Sequence, residues 1–273
     1  MSDKLRATIK KVIYSAITTY LDKKGEPETR HVILDRIFPA ERRIRSIIGG
    51  LETSMGTKVW ERLPIEIAGR NGFTINANSS FTKPKFIPPR ISQFITEANE
   101  NRKSNPIQFQ YDEFVNRLRA ESRLIVEREH LEYCGLASGD GIDLWIEKNG
   151  QEYIFDFKTV QINAGDGNHF AHKMMEWLAY RLIRDPEVEV QVALVFPYSP
   201  FPPFTADSWW KEQKGRAEPL QRGKDALVQE EFWNLIGGAN NVWPIILDVM
   251  DELAEELNPR YRHLFYPDTK EMN

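Results

Sequence analysis

The dipeptide Asn149-Gly150 constrains this chain more than any other pair of residues in it. Both central positions of a type I′ turn require positive φ, which Asn and Gly tolerate, and apolar-alternating runs flank the pair. The stretch from Gly139 to Thr159 therefore reads as two antiparallel strands joined by a two-residue loop. Its register is countable outward from the turn: Lys148 faces Gln151, Trp145 faces Ile154, and Asp143 faces Asp156. Directly opposed side chains lie roughly 5 Å apart at Cβ, where like charges repel. A divalent cation shared by both carboxylates offsets that repulsion, and hard oxygen ligands suit magnesium. Strand alternation puts Lys158 on the same face, opposite Gly141, so Asp143, Asp156 and Lys158 converge.

A helix on the far side of that hairpin supplies the next constraint. Residues 169–184 carry Met174, Trp177, Leu178 and Ile183 at helical spacing and close at Asp185-Pro186. Val188 to Phe196 then forms the clearest strand in the chain, alternating at first and afterwards wholly apolar, as a strand entering the centre of a sheet should be. A helix between strands points to an α/β core. The loop between hairpin and helix holds Gln161, Asn163 and Asn168, whose amides are of the kind that pair with base edges. With Lys173 they are the expected DNA contacts. His169 and His172 read as core or surface histidines rather than metal ligands.

Upstream, residues 2–23 form an amphipathic helix ended by Lys23-Lys-Gly-Glu-Pro27. Thr53 or Ser54 is placed to cap a helix whose first turns hold Gly56, Trp60 and Glu61. Phe81 to Arg90, with three prolines, reads as an extended loop. Residues 92–104 and 112–130 read as helices, the second largely solvent-facing, with Glu121 and Glu127 as reserve metal-site residues. After the central strand come a proline-rich aromatic segment containing Trp209-Trp210, read as core cover, a short helix ending at Gly237-Gly238, and an acidic helix from Pro244 to Leu257.

Composition bounds the whole. With 273 residues and 41% hydrophobic content the chain supports a substantial core, and we expect a single domain. Its N-terminal helical part covers about residues 1–130 and its catalytic core about 131–257. The net charge of −4 does not advertise nucleic-acid binding, but its distribution is uneven. Residues 1–48 hold eleven Lys/Arg against six Asp/Glu, whereas the chain from Asp248 onward holds seven acids and three bases. Positive surface is therefore expected away from the C-terminus. A single cysteine, Cys134, excludes an internal disulfide and a cysteine-rich zinc site, and reads as a small buried hydrophobe. With no apolar run near the roughly 18 residues of a membrane span, and no signal peptide, a soluble cytoplasmic protein is expected.

The order Asp143, hairpin, Asp156-x-Lys158 resembles the PD-(D/E)xK nuclease superfamily, with Ile142 where the motif has its proline. Five further segments resemble, in order, the TdeIII-like group of type II restriction endonucleases. They are Ile33 to Pro39, Ser46 to Glu61, Phe155 to Thr159, Ala193 to Pro200 and Val228 to Gly238. Asp156 and Val160-Gln161 depart from the Glu-x-Lys and following proline of many members, which bears on the target sequence. The resemblance implies a restriction-endonuclease-like fold, a central mixed sheet with flanking helices. It implies magnesium-dependent cleavage of double-stranded DNA at a short symmetric site related to GGNCC, by a homodimer with a companion DNA methyltransferase. On that pattern Asp143 and Asp156 hold Mg2+, Lys158 orients the attacking water, and Glu61 is either a further acid of the site or a solvated surface glutamate. Two alternatives stay open: a less specific nuclease of repair or phage defence, and a non-catalytic DNA-binding protein.

Overall fold

A computed structural model of the chain describes residues 2–24, 32–158, 161–163 and 165–266. In chain order the elements are α1 (Ser2–Leu21), α2 (Val32–Ile37), α3 (Pro39–Met55), α4 (Arg62–Arg70), β1 (Thr74–Asn76), β2 (Thr82–Pro84), α5 (Pro89–Ser104) and α6 (Tyr111–Arg123). There follow β3 (Tyr133–Gly135), β4 (Leu144–Lys148), β5 (Gln151–Phe157), α7 (Asp166–Arg184), β6 (Glu189–Phe196), α8 (Ala206–Glu212), α9 (Lys214–Ala217), β7 (Ala226–Val228), α10 (Glu230–Gly237) and α11 (Val242–Phe265). They divide into two compact units, Met1–Ile67 with Asn240–Asn273, and Ala68–Ala239. This division does not follow the expected line near residue 131: α5 and α6 belong with the sheet, and α11 belongs with the N-terminal helices.

The second unit is built on a five-stranded sheet of order β1-β4-β5-β6-β7. β4 pairs antiparallel with β1 and β5, while β6 runs parallel to β5 and β7, so the sheet is mixed as expected. Asn149 (φ 55°) and Gly150 (φ 79°) make the turn between β4 and β5, and Lys148 pairs with Gln151 and Trp145 with Ile154, the register counted from the sequence. From Val192 to Phe196 every residue of β6 is fully buried, because strands cover both edges and helices both faces. On one face Ile154, Val192 and Leu194 join a core with Met174, Trp177 and Leu178 of α7. On the other, Phe155 and Phe157 meet the Phe232 ring of α10 edge-on at 5.3 and 5.4 Å. β2 and β3 form a separate two-stranded ribbon.

In the first unit α1 packs against both α3 and α11. Gly50 permits the approach to α1: a Cβ there would lie 2.0 Å from the Tyr20 hydroxyl, which donates to the Ile47 carbonyl. Arg6 and Lys10 of α1 ion-pair with Asp248, Glu252 and Glu256 of α11. The expectation that basic N-terminal and acidic C-terminal segments present separate surfaces is thereby overturned at these helices. Opposite charges on two packed helices neutralise each other.

Several boundaries differ from expectation. Thr53 and Ser54 do not cap a helix; α3 runs unbroken from Pro39 to Met55, and the Thr53 hydroxyl donates back to the Gly49 carbonyl. Phe81 to Arg90 is not wholly loop, since Thr82–Pro84 pairs with β3 and Pro89 opens α5. α6 stops at Arg123 and buries Tyr111, Phe114 and Leu118, so one face of it is core rather than solvent. α11 continues through Pro259 to Phe265. The proline-rich segment covers core as expected, with Trp209 fully buried 4.3 Å from the Phe196 ring. Cys134 is half-buried rather than buried. The turn at Gly25 to Pro27, and Thr159, Val160 and Ala164 of the loop after β5, lie outside the described residues. No described helix is long and apolar enough to cross a membrane.

Candidate active site

Asp156 sits on the α7 face of β5, in the middle of the sheet, and is only 3% exposed. A carboxylate so placed needs charged partners, and two lysines supply them. Lys158 Nζ lies 2.8 Å from Oδ1, and Lys173 Nζ, reaching across from α7, lies 3.3 Å from Oδ2. The backbone N–H of Lys158 donates to the Val195 carbonyl at 2.9 Å, continuing the parallel ladder past the end of β5 and fixing where that side chain starts. Each ammonium also lies over an aromatic ring, Lys158 over Phe170 at 5.1 Å and Lys173 over Trp177 at 4.5 Å.

Asp143 precedes β4, and the ladder's last pair is Leu144 with Phe155, so the expected facing of Asp143 and Asp156 is not continued in the strand pairing. Its backbone N–H donates to the Phe155 carbonyl at 2.9 Å, and its Oδ2 accepts from the backbone N–H of Phe157 at 2.6 Å. Phe157 stands between Asp156 and Lys158, so the three expected site residues are gathered around one peptide. Asn78 holds the other side of Asp143, donating its side-chain amide to the Asp143 carbonyl at 2.8 Å.

The remaining expected residues are distributed around this centre. Gln161 and Asn163 are exposed, in the loop leaving Lys158, with Ile162 between them buried and its N–H bonded to Gln213 Oε1 at 3.2 Å. Asn168 is half-buried in the first turn of α7. Glu61 belongs to the first unit, where it follows a π-helical turn, Gly56–Trp60, between α3 and α4; burial pushes its carboxyl above the usual glutamate range. Glu121 pairs with Arg90 and Glu127 with His130, so both reserve acids are engaged elsewhere. His169 is exposed, and His172 Nε2 lies 3.8 Å from Glu176, with no further ligand type beside it.

Two features escaped the sequence reading. One is the contact of Lys173 with Asp156; its signal was available, because Lys173 stands one turn before Trp177 on the sheet-facing side of the helix. The other is Glu152, four residues before Asp156 on the same face. It is held by Arg181 in a two-pronged pair at 2.8 and 2.6 Å and by Trp145 Nε1 at 3.0 Å, anchoring the far end of α7 to β5.

Among the described residues no group of three or more His, Cys, Asp or Glu side chains forms a metal cage. The donors present are the two carboxylates Asp143 and Asp156. Such a set fits a hard divalent cation that keeps several waters and takes further oxygens from a phosphate.

A five-stranded mixed sheet flanked by helices, with acids and a lysine gathered where the hairpin meets the central strands, defines a protein of the restriction-endonuclease-like fold class. The chain belongs to the HinfI type II restriction endonuclease family, whose model matches residues 1–254. It is also similar to the type II restriction enzyme MjaII of Methanocaldococcus jannaschii, with 24% identity over 158 residues. That alignment covers 52% of this chain and 43% of the relative, so the chain spans less than half the length of the curated relative it matches. These matches name the HinfI family and carry nothing on the narrower TdeIII-like group.

Proposed function

We propose that this chain hydrolyses double-stranded DNA at a short symmetric site, with Mg2+, as a type II restriction endonuclease. The observation that carries this reading is the buried Asp156 carboxylate with the Lys158 ammonium 2.8 Å away, and Asp143 bonded to the backbone N–H of the next residue, Phe157. Membership of the HinfI family supports it.

In this reading Asp143 and Asp156 hold the cation. When bound, Mg2+ polarises a phosphoryl oxygen and lowers the pKa of a bound water. Lys158 orients the attacking water and balances the negative charge that grows on the phosphate oxygens. The water oxygen bonds to phosphorus, the bond to the leaving oxygen breaks, and that oxygen takes up a proton. Burial of Asp156 keeps its carboxylate fixed and excludes bulk water from one side of the reaction. Gln161, Asn163 and Asn168 follow directly on Lys158, so a duplex whose phosphate reaches the lysine brings its base edges to these amides. Glu61, in the first unit, stays the further candidate acid, and the whole chain is read as one nuclease domain. A symmetric target calls for a two-fold homodimer. A GGNCC-related target, a cytoplasmic setting and a companion methyltransferase complete the proposal.

The test is a digest of plasmid DNA by the purified protein with Mg2+, followed by sequencing of the ends. Discrete fragments whose ends share one short palindromic sequence support the reading. A smear replaces it with a less specific nuclease. Intact plasmid, with Asp156→Ala and Lys158→Ala altering only stability, replaces it with a non-catalytic DNA-binding protein.

A further inference from the structure

The second lysine on Asp156 has no place in the mechanism above. The Asp156 carboxylate already faces two ammonium groups, at 2.8 and 3.3 Å. Adding a divalent cation there would crowd a third positive group around a carboxylate that is 3% exposed. One ammonium has to withdraw. Lys158 is the poorer choice: it grows from the strand that carries Asp156, its backbone is fixed to Val195, and its contact is the shorter at 2.8 Å. Lys173 comes from a different element, its contact is 3.3 Å, and the Trp177 ring at 4.5 Å already shares its charge.

We propose that Lys173 is a positioning residue that stands in for the divalent cation at Asp156 and is displaced when the cation binds. The inference rests on the cation reading of the site given above. Before binding, Lys173 pairs with the buried carboxylate and holds it in place. After binding, its side chain, 12% exposed in this state, swings outward, where it faces DNA phosphates. Cation and ammonium therefore compete for one oxygen, and the lysine delivers a positive charge to the duplex only once the site is loaded.

The competition has a readout that needs no cleavage. Mn2+ binding to the full chain, followed by loss of the free-ion electron paramagnetic resonance signal, is measured for the wild type, Lys173→Met and Asp156→Ala. Removing a competing charge at this distance tightens Mn2+ binding by roughly tenfold in Lys173→Met, whereas a merely structural lysine would leave it equal or weaker. Equal or weaker binding in Lys173→Met, with Asp156→Ala inactive in binding, overturns the displacement and keeps the cation site. Unchanged binding in Asp156→Ala, or no binding by the wild type, overturns both. A second measurement uses the wild type alone, so it stands even where Lys173→Met does not fold. Acetylation of Lys173 by a water-soluble ester, followed by mass spectrometry, rises several-fold on adding Mn2+, while labelling of Lys148 stays constant. Unchanged labelling of Lys173 overturns the proposal.

Discussion

The carboxylate of Asp143 accepts a hydrogen bond from the backbone N–H of Phe157 at 2.6 Å. An unbroken antiparallel ladder would give that N–H to the main-chain carbonyl of Ile142, directly opposite. The side chain has replaced the main chain as acceptor, β4 begins only at Leu144, and an acid is set at the edge of the hairpin against the Phe157 N–H.

Asp143 thus has a structural task separable from any task at a cation. Asp143→Asn keeps an oxygen for the Phe157 N–H and melts within a few degrees of the wild type, but Mg2+-dependent cleavage falls at least about a hundredfold. Asp143→Ala loses the acceptor as well and is destabilised by about 1 kcal/mol. Thermal melts and plasmid cleavage on both variants check this; equal stability of the two would remove the structural task.

Glu61 titrates with a sign that follows from its burial. Desolvation raises its folded-state pKa above the unfolded value, so the folded state binds the proton more tightly and stability is lost as pH rises through that range. Glu61→Gln is expected to match the wild type at acid pH and to be the more stable of the two at pH 7. Urea denaturation at both pH values measures the difference. Cleavage by the same variant is expected to be slower, and an unchanged rate would place Glu61 outside the site.

Arg102 and Asp225 form an ion pair whose side chains are 1% and 0% exposed, joining α5 to the segment before β7. Burial raises the Asp225 pKa, Arg102 opposes that, and the Gln221 backbone N–H donates to the carboxylate at 2.7 Å. Arg102→Ala strands the carboxylate and costs about 3–5 kcal/mol, whereas Arg102→Leu with Asp225→Leu costs less than that single change. Urea denaturation of both variants tests the order.

Gly167, in the first turn of α7, has no room for a side chain: a Cβ would lie 2.1 Å from the Arg216 carbonyl oxygen, a backbone atom. Gly167→Ala is expected to destabilise the protein by about 1–3 kcal/mol and to shift the helix end that leads to Lys173. The expected signature is a lower melting temperature with cleavage impaired further than unfolding explains, measured well below the melt.

The hairpin was legible because its information is local. Asn149-Gly150 specifies positive φ at two positions, and a period of two then assigns a partner to each residue as far as Leu144 and Phe155, where the ladder ends. β6 was legible for the same reason, since an apolar run of β-branched residues has few places to go but a sheet centre. Helix ends were less so. Glycines at 49 and 50 look like a break, yet α3 passes through them, and Tyr20 of α1 fills the space beside Gly50, a contact between residues far apart in sequence.

What the sequence determined by itself, then, is the turn, the register as far as Leu144 and Phe155, and the nearness of Lys158 to Asp156. Only the tertiary structure decided that a second lysine would reach Asp156, that basic α1 would be neutralised by acidic α11, and that α5 and α6 would join the sheet. The physical reason is the range of the forces. Backbone sterics and strand alternation act over a few residues, whereas the placing of α7 comes from burying Met174, Trp177 and Leu178 against the sheet, and Lys173 goes where that packing carries it.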